Sequence, residues 1–239
     1  MVVGEVILLE YKMKKGESLQ YKVIVYTDQD FKMTDQNFTQ EALMEMVMRQ
    51  KASDVASDGS MNMDVTIESG SLKREGEELE LPTVGSIINM KMQKNGTVTQ
   101  SSVDFPYQQP PFPSSPVKKG ESWNGESRIT IPGKDQPETL NYTYTLVGTG
   151  KINGHDCAEI KVSCPQKEIE LNESTRQVLS ASGITYFAYK EGKLVKSEIH
   201  TDSDVISKEG VIKTKIKIAV DLLELPSPSL GIEEAYIAR

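Results

Sequence analysis

Apolar and polar side chains alternate along much of this chain. The longest run covers residues 212–222, where Ile, Thr, Ile, Ile, Val and Leu alternate with Lys, Lys, Lys, Ala and Asp. Successive side chains of a β-strand point to opposite faces of the sheet, so this run predicts a half-buried strand with a lysine-rich outer face. Residues 142–146 and 158–162 alternate in the same way, and residues 184–189 are rich in β-branched and aromatic types that favour strands.

Seven of the ten methionines fall between residues 44 and 92, and within each short group they are two residues apart. This spacing places their side chains on one face of three strands. Methionine fills irregular gaps in a core, and it is also common at surfaces that adapt to varied apolar partners. The methionine face is therefore either an ordinary sheet core or the lining of a cavity for a lipid-like ligand. The candidate ligand-binding residues are Met44, Met46, Met48, Met61, Met63, Val65, Ile88, Met90 and Met92.

Turn sequences separate the predicted strands. Asp58-Gly59, Asn95-Gly96 and Asn153-Gly154 are hairpin dipeptides, and residues 190–193 and 208–210 also contain turn glycines. Sequential hairpins give an antiparallel meander in which consecutive strands are neighbours. We therefore expect an all-β fold with at most one or two short helices. Its core is a curved antiparallel meander sheet, either a half-barrel or an open barrel.

Two segments carry competing helix signals. Residues 35–50 contain candidate N-caps at Asp35 and Thr39, but the alternating methionines of this segment favour a strand. The stretch from Ser174 to Leu179 is predicted to form a short helix.

A proline-rich segment bears on domain organisation. Residues 106–116 hold five of the eleven prolines, which remove backbone donors and favour extended conformations. The segment is either a linker between domains, an ordered crossover, or a peptide ligand with a PxxP motif at Pro113 and Pro116. We expect a single all-β domain over residues 1–239 or two fused meanders over 1–105 and 117–225, with a C-terminal extension at 226–239.

A short repeat brackets the proline-rich segment. The sequence KKGES occurs at 14–18 and again at 118–122, in each case before a large apolar residue and a predicted strand. The repeat reflects either a common turn sequence or two related halves. If both copies form equivalent turns, Gly16 and Gly120 adopt matching backbone conformations with positive φ.

Charge and apolar content exclude several classes of protein. The net charge of −8 and the pI near 5.0 argue against nucleic acid and against anionic membrane surfaces as partners. No apolar stretch approaches the roughly 20 residues of a membrane-spanning helix. The first residues lack the basic region and cleavage site of a signal peptide. The protein is therefore either cytoplasmic, or extracytoplasmic (periplasm or cell surface) if a targeting segment was removed.

The two cysteines are not expected to form a disulfide. If residues 157–163 form one strand, Cys157 and Cys164 lie on opposite faces and roughly 23 Å apart at about 3.3 Å per residue. A disulfide requires Cα atoms within about 7 Å of each other. We expect Cys164 to face the apolar side with Ile160 and Val162.

The sequence offers little catalytic chemistry. His155 lies beside a hairpin turn and is expected to be exposed, and His200 begins an HTDSD segment that reads as a polar turn without the ligand spacing of an EF-hand. No P-loop, G-x-S-x-G or H-E-x-x-H motif occurs. We expect no catalytic residue, no metal site and no cofactor, and therefore no enzyme. A hydrolase ranks third among the functions considered.

Four segments carry a resemblance to a known group. They are YKMKKGESLQYKV near the N-terminus, FPSSPVKKGESW, YTLVGTGKINGHDCAEIKV and GITYFAYKEGKLVKSE. Together they resemble uncharacterised bacterial extracytoplasmic proteins, and the architecture resembles the lipoprotein carrier and receptor superfamily (LolA/LolB type). The resemblance implies a half-barrel closed over an apolar cavity by short helices, and an apolar ligand such as a lipid or acyl chain. The alternative is a structural or protein-interaction module of the cell envelope with a filled core.

Overall fold

The computed structural model describes residues 5–102, 109–129, 131 and 137–223. Within these residues the chain is all-β, as the alternation predicts, and it contains neither of the one or two short helices that were allowed for. Consequently no described helix is long and apolar enough to cross a membrane. The strands are β1 (Val6–Ile7), β2 (Ser18–Met33), β3 (Asn37–Val55), β4 (Met61–Arg74), β5 (Glu77–Glu80), β6 (Ile87–Met92), β7 (Val98–Ser101), β8 (Val117–Lys118), β9 (Ser122–Ile129), β10 (Glu138–Ile152), β11 (His155–Asn172), β12 (Thr175–Ala188), β13 (Lys193–Ser207) and β14 (Gly210–Leu223).

Both segments with helix signals are strands. Residues 37–55 form β3, which confirms the strand interpretation of the methionine alternation. The short helix expected from Ser174 to Leu179 is wrong, because β12 starts at Thr175. Asn172 Oδ1 accepts a hydrogen bond from the backbone N–H of Ser174 and closes a tight turn between β11 and β12. Pairing of β12 with strands on both sides then overrides the local helix propensity.

One large antiparallel sheet contains twelve of the strands. The chain enters this sheet in the middle, with β2, and proceeds by hairpins to the edge at β7. It then crosses to the opposite edge at β9 and returns by hairpins to the middle with β14. There β14 pairs with β2 from Gly210↔Met33 to Leu223↔Gln20, so both halves of the chain share one sheet. The order across the sheet is β7-β6-β4-β3-β2-β14-β13-β12-β11-β10-β9, with β5 on β4.

The sheet is curved and does not close into a barrel, as expected. Met63 of β4 and Ile160 of β11 have five strands between them, yet they belong to one buried cluster. Such a cluster forms only if the sheet curls toward the face that carries these side chains. That apolar face is therefore the concave one.

Two irregular segments fill one end of the concave face, and we call residues 5–13 and 109–118 together the plug. The two segments pair through β1 and β8, with Ile7 opposite Val117. The backbone N–H of Tyr11 donates to Lys94 O at 2.7 Å, and that of Phe112 donates to Asn95 O at 2.7 Å. The plug thus joins the β6–β7 turn to the rest of the concave face.

The described part of the proline-rich segment, residues 109–116, packs against the core. Phe112 is 4% exposed and packs in the core between Tyr11 and Phe187. Pro111 O accepts a hydrogen bond from Trp123 Nε1 at 2.8 Å. The ring of Pro111 lies over Gly125, where a Cβ atom would come within 2.5 Å of Pro111 Cγ. Residues 103–108 and the proposed C-terminal extension at 226–239 lie outside the described residues.

The two KKGES copies form equivalent turns, which confirms the predicted match. Gly16 has φ of 83° and Gly120 has φ of 88°. In the first turn the N–H of Gly16 donates to Ala52 O at 2.7 Å, and in the second the N–H of Gly120 donates to Leu146 O at 2.7 Å. In each turn the glutamate side chain also accepts a bond from the first lysine N–H, at 2.7 and 2.8 Å.

The expected hairpin turns are also present. Asp58-Gly59, Asn95-Gly96 and Asn153-Gly154 each connect strands that pair with each other. Asn153 and Gly154 both have positive φ, 48° and 82°, which is the conformation of a type I′ turn. The turns at 190–193 and 208–210 likewise connect β12 to β13 and β13 to β14.

Candidate functional site

The structure brings all nine candidate residues onto the concave face. Across β4 and β6, the cross-strand partners are Met61↔Met92, Met63↔Met90 and Val65↔Ile88. Across β3 and β4, Met44 lies opposite Leu72 and Met46 opposite Gly70. Met48 continues the same face of β3.

Burial divides these residues into two groups. Six are between 1% and 6% exposed and pack in the two main clusters of the core: Met48, Met61, Met63, Val65, Ile88 and Met92. Met44, Met46 and Met90 are only half-buried. The first group therefore fills the core with the plug and its neighbours, while the second group retains surface that another molecule can cover.

Met44 continues into a row of half-buried apolar side chains across the centre of the sheet. Val25 of β2 lies opposite Met44 on one side and opposite Ile218 of β14 on the other. Ile218 in turn lies opposite Ile199 of β13. We call these four residues, all half-buried, the apolar row. It runs across four adjacent strands, beside the plugged end of the concave face.

A glycine shapes the end of the apolar row. Gly183 of β12 lies opposite Ile199, and a Cβ atom at this position would come within 2.6 Å of Ile199 Cδ1 and 2.2 Å of Glu198 O. The missing side chain leaves room for Ile199 and the backbone of β13 beside β12.

Two further rows follow toward the end of the concave face that lies away from the plug. The first contains Thr27 of β2, opposite Ile216 of β14, which in turn lies opposite Thr201 of β13. The next carries uncharged polar side chains on β3, β2, β14 and β13, and we call these four residues the polar row. Its members in register are Gln40, Gln29, Thr214 and Ser203. On β12 the register continues with the buried Leu179.

Aromatic side chains surround the plugged end. Phe112 packs edge-on to Trp123, which stacks on Tyr144 at 5.8 Å between ring centroids. Burial raises the pKa of Tyr142 to about 12 and raises that of Tyr144 further. Burial also raises the pKa of the Cys164 thiol. These groups are neutral at physiological pH, so they add no charge to this wall of the concave face.

The convex face is highly charged, as the lysine-rich pattern of 212–222 predicts. Lys215 of β14 lies between Asp28 of β2 and Asp202 of β13, and Lys213 is flanked by Asp30 and Asp204 in the same way. These alternating signs balance one another across three strands. The face resembles a solvated sheet surface.

The two histidines differ from expectation. His200 is part of β13, so the polar turn predicted for HTDSD is wrong, and its Nε2 lies 3.0 Å from Glu198 Oε1. His155 is half-buried instead of exposed, with Nδ1 2.8 Å from Glu191 Oε2. Within the described residues no group of three or more His, Cys, Asp or Glu side chains is placed to hold a metal ion.

Both cysteines are buried and unpaired, as the spacing predicts. Cys157 packs in a small cluster with Ala188 and Val195. Cys164 packs in a different cluster with Leu179. Strand alternation places Cys164 on the same face as Ile160 and Val162 and Cys157 on the other.

Most of the apolar row has no signal in the sequence. Ile216 and Ile218 were recognised as one face of a half-buried strand, but their proximity to Met44 was not. That proximity depends on the pairing of β14 with β2, which are about 190 residues apart in the chain. The packing of Tyr11 and Phe112 in the core also has no signal in the sequence, because neither residue belongs to an alternating segment.

Comparisons with known proteins give the fold but no family. No protein-family model matches the chain, and no curated protein matches it at a significant level. A structure of lipovitellin, described for its lipid–protein interactions, is similar with a TM-score of 0.51 and 10% sequence identity. The match covers 95% of this chain and 27% of the lipovitellin chain, so this chain spans about a quarter of that length. At this identity the likeness concerns the fold alone.

Two bacterial structures match less well. One is a domain from Vibrio parahaemolyticus proposed to be an outer membrane lipoprotein-sorting protein, with a TM-score of 0.17, 9% identity and coverage of 89% of this chain and 87% of that chain. The other is a DUF1329 family protein from Desulfovibrio piger, with a TM-score of 0.18, 13% identity and coverage of 86% and 85%. A lipoprotein-sorting domain is thus among the similar structures, at a TM-score that carries no argument about family or function.

Proposed function

We propose that this protein binds an apolar, lipid-like ligand on the concave face of its sheet without catalysing a reaction. The apolar row carries the proposal. Met44, Val25, Ile218 and Ile199 are adjacent in register and only half-buried, whereas the surrounding apolar side chains of the plugged end are packed against the plug.

The expected affinity follows from the surface that such a ligand would lose to water. Each buried methylene contributes about 0.8 kcal/mol. Covering about eight methylenes of an acyl chain against the apolar row therefore contributes about 6 kcal/mol, which corresponds to a Kd of tens of micromolar. Binding should therefore be measurable at protein concentrations of about 100 μM, which exceed this Kd.

The plug favours a second candidate function. It fills one end of the concave face with the protein's own side chains, among them Leu9, Tyr11 and Phe112. In this alternative the protein is a structural or protein-interaction module, and the apolar row is the edge of a core that needs no ligand.

A pair of tryptophan substitutions distinguishes the two functions. Met44→Trp places a bulky ring on the half-buried apolar row, and Met63→Trp places the same ring in the packed core, where Met63 is 2% exposed. Binding is measured with 1-N-phenylnaphthylamine, an uncharged fluorescent probe. We expect the wild type to bind the probe. Met44→Trp should bind it at least fivefold more weakly, with little change in Tm. Met63→Trp should lose about 1–3 kcal/mol of stability, as is typical of overpacking. Absence of probe binding by the wild type at about 100 μM would reject ligand binding and leave the interaction module.

A further inference from the structure

The polar row suggests the chemistry of one end of the ligand. Gln29 Nε2 donates to Thr214 Oγ1 at 3.3 Å, and Gln177 Nε2 donates to Ser203 Oγ at 2.7 Å. All four side chains are half-buried. A side-chain amide has two N–H donors and one acceptor oxygen, so each glutamine retains hydrogen-bonding capacity after this single bond.

The polar row is not simply the solvent-exposed end of the sheet. Beyond it on the same face lie Phe31, Ile212 and Val205, again in register. The ring of Phe31 stacks on Phe38 with 4.3 Å between the centroids. On β12, Gln177 lies opposite Val205 and extends the hydrogen-bonding groups into this row. On β2, β14 and β13 the polar row thus forms a band between these apolar side chains and the mixed row of Thr27, Ile216 and Thr201, beyond which the apolar row follows.

Charge is absent from this band, in contrast to the convex face of the same strands. Across β2, β13 and β14 the convex side carries aspartates and lysines, whereas the concave side at the polar row carries amide and hydroxyl groups. At the β3 end of the band, the carboxylate of Glu75 accepts from Gln40 Nε2 at 2.8 Å. Glu75 lies in the exposed turn after β4, with Arg74 Nε 4.0 Å from its carboxylate. Its charge is therefore solvated and compensated at the rim.

From this arrangement we propose that the ligand carries an uncharged, hydrogen-bonding head group, such as a hydroxyl, an ester or an amide, at the polar row. The inference rests on the proposed binding of an apolar ligand to the same face. A carboxylate, phosphate or ammonium head group would lose hydration at this band without gaining an oppositely charged partner, which is unfavourable. A hydroxyl or ester can both donate to and accept from the glutamine amides and the Thr214 and Ser203 hydroxyls.

The separation of the two rows bounds the size of the ligand. Val25 and Gln29 are four residues apart on β2, which corresponds to about 14 Å along a strand. A ligand that covers the apolar row and reaches the polar row is therefore at least about 14 Å long, the scale of a medium or long acyl chain. Its tail would extend toward the plug, and its head group would lie at the polar row, farther from the plug.

Three probes with one acyl chain test the head-group preference. We would use a nitrobenzoxadiazole-labelled dodecanoyl chain as the glycerol ester, the free acid and the choline ester, which are neutral, anionic and cationic at pH 7.5. We expect the glycerol ester to bind wild-type protein at least tenfold more tightly than either charged probe. Gln29→Leu should reduce this preference at least threefold, and Gln29→Lys should shift it toward the free acid. Lys213→Gln, on the convex face of the neighbouring strand, is the matched control and should change neither preference nor affinity.

The outcomes separate this inference from the proposed function. The inference of a neutral head group would be overturned by any of three results: equal binding of the three probes, tightest binding of a charged probe, or an unchanged preference in Gln29→Leu. Each of these results would leave apolar ligand binding intact. Failure of all three probes and of 1-N-phenylnaphthylamine to bind would overturn both. Thermal melting of every variant checks that a loss of binding does not result from unfolding.

Discussion

The crossover segment should be an essential part of the core, and Phe112→Ala tests this. Phe112 is 4% exposed and contacts three aromatic rings, at centroid distances of 5.0 Å to Tyr11, 4.5 Å to Phe187 and 6.4 Å to Trp123. Truncation of a buried Phe to Ala costs about 3–5 kcal/mol. Aromatic pairs add about 0.5–1.5 kcal/mol each beyond area burial, so we expect a loss near the upper end of that range.

The control is the same substitution at an exposed position. Phe38 is 48% exposed and stacks on one ring, that of Phe31. Phe38→Ala should therefore cost about 1 kcal/mol, the value of one such pair.

Urea unfolding, followed by circular dichroism and by the fluorescence of Trp123, measures both losses. With an m-value of about 3 kcal/mol/M, Phe112→Ala should lower the midpoint by roughly 1–1.7 M and Phe38→Ala by about 0.3 M. Equal losses, or a loss below about 1 kcal/mol for Phe112→Ala, would show that residues 109–118 behave as a linker that can detach from the sheet.

Two further predictions concern the turns and the buried tyrosines. Gly16→Ala and Gly120→Ala should each cost about 1–2 kcal/mol, because both glycines have positive φ in equivalent turns, whereas Gly150→Ala, with open space around it and no positive φ, should be neutral. Unequal costs at Gly16 and Gly120 in urea unfolding would contradict the equivalence. Because burial raises the pKa of Tyr142 to about 12, the folded state holds the phenol proton more tightly than the unfolded state does. This contribution to stability is complete below about pH 10 and is lost as the pH rises toward 12, so Tyr142→Phe should flatten the decline in Tm over that window. An unchanged decline in thermal melts between pH 9 and 11.5 would contradict the assigned cause.

Local sequence patterns were sufficient to define the strands with regular alternation. A strand places alternate side chains on opposite faces, so the alternation at 44–48 and 212–222 identified both the secondary structure and the face of each residue. Hairpin dipeptides identified consecutive neighbours for the same reason, because positive φ at Asn153 and Gly154 reverses the chain between paired strands. The KKGES turns were predicted correctly because their conformation depends on a glycine and a glutamate within five residues.

Tertiary structure decided which of these faces come together and which surfaces are filled. The short helix expected from Ser174 to Leu179 is a strand because β11 and β13 supply its hydrogen bonds, which no local signal in that segment encodes. The pairing of β14 with β2 joins residues from opposite ends of the chain and thereby creates the apolar row. Likewise, the methionines of the concave face follow one alternating pattern but differ in burial. Met44 and Met46 are half-buried, whereas the plug or neighbouring strands bury Met48, Met61, Met63 and Met92. Alternation specifies the face on which a side chain lies, but burial depends on contacts between residues distant in sequence. The sequence therefore identified the methionine face without distinguishing its packed side chains from its half-buried ones.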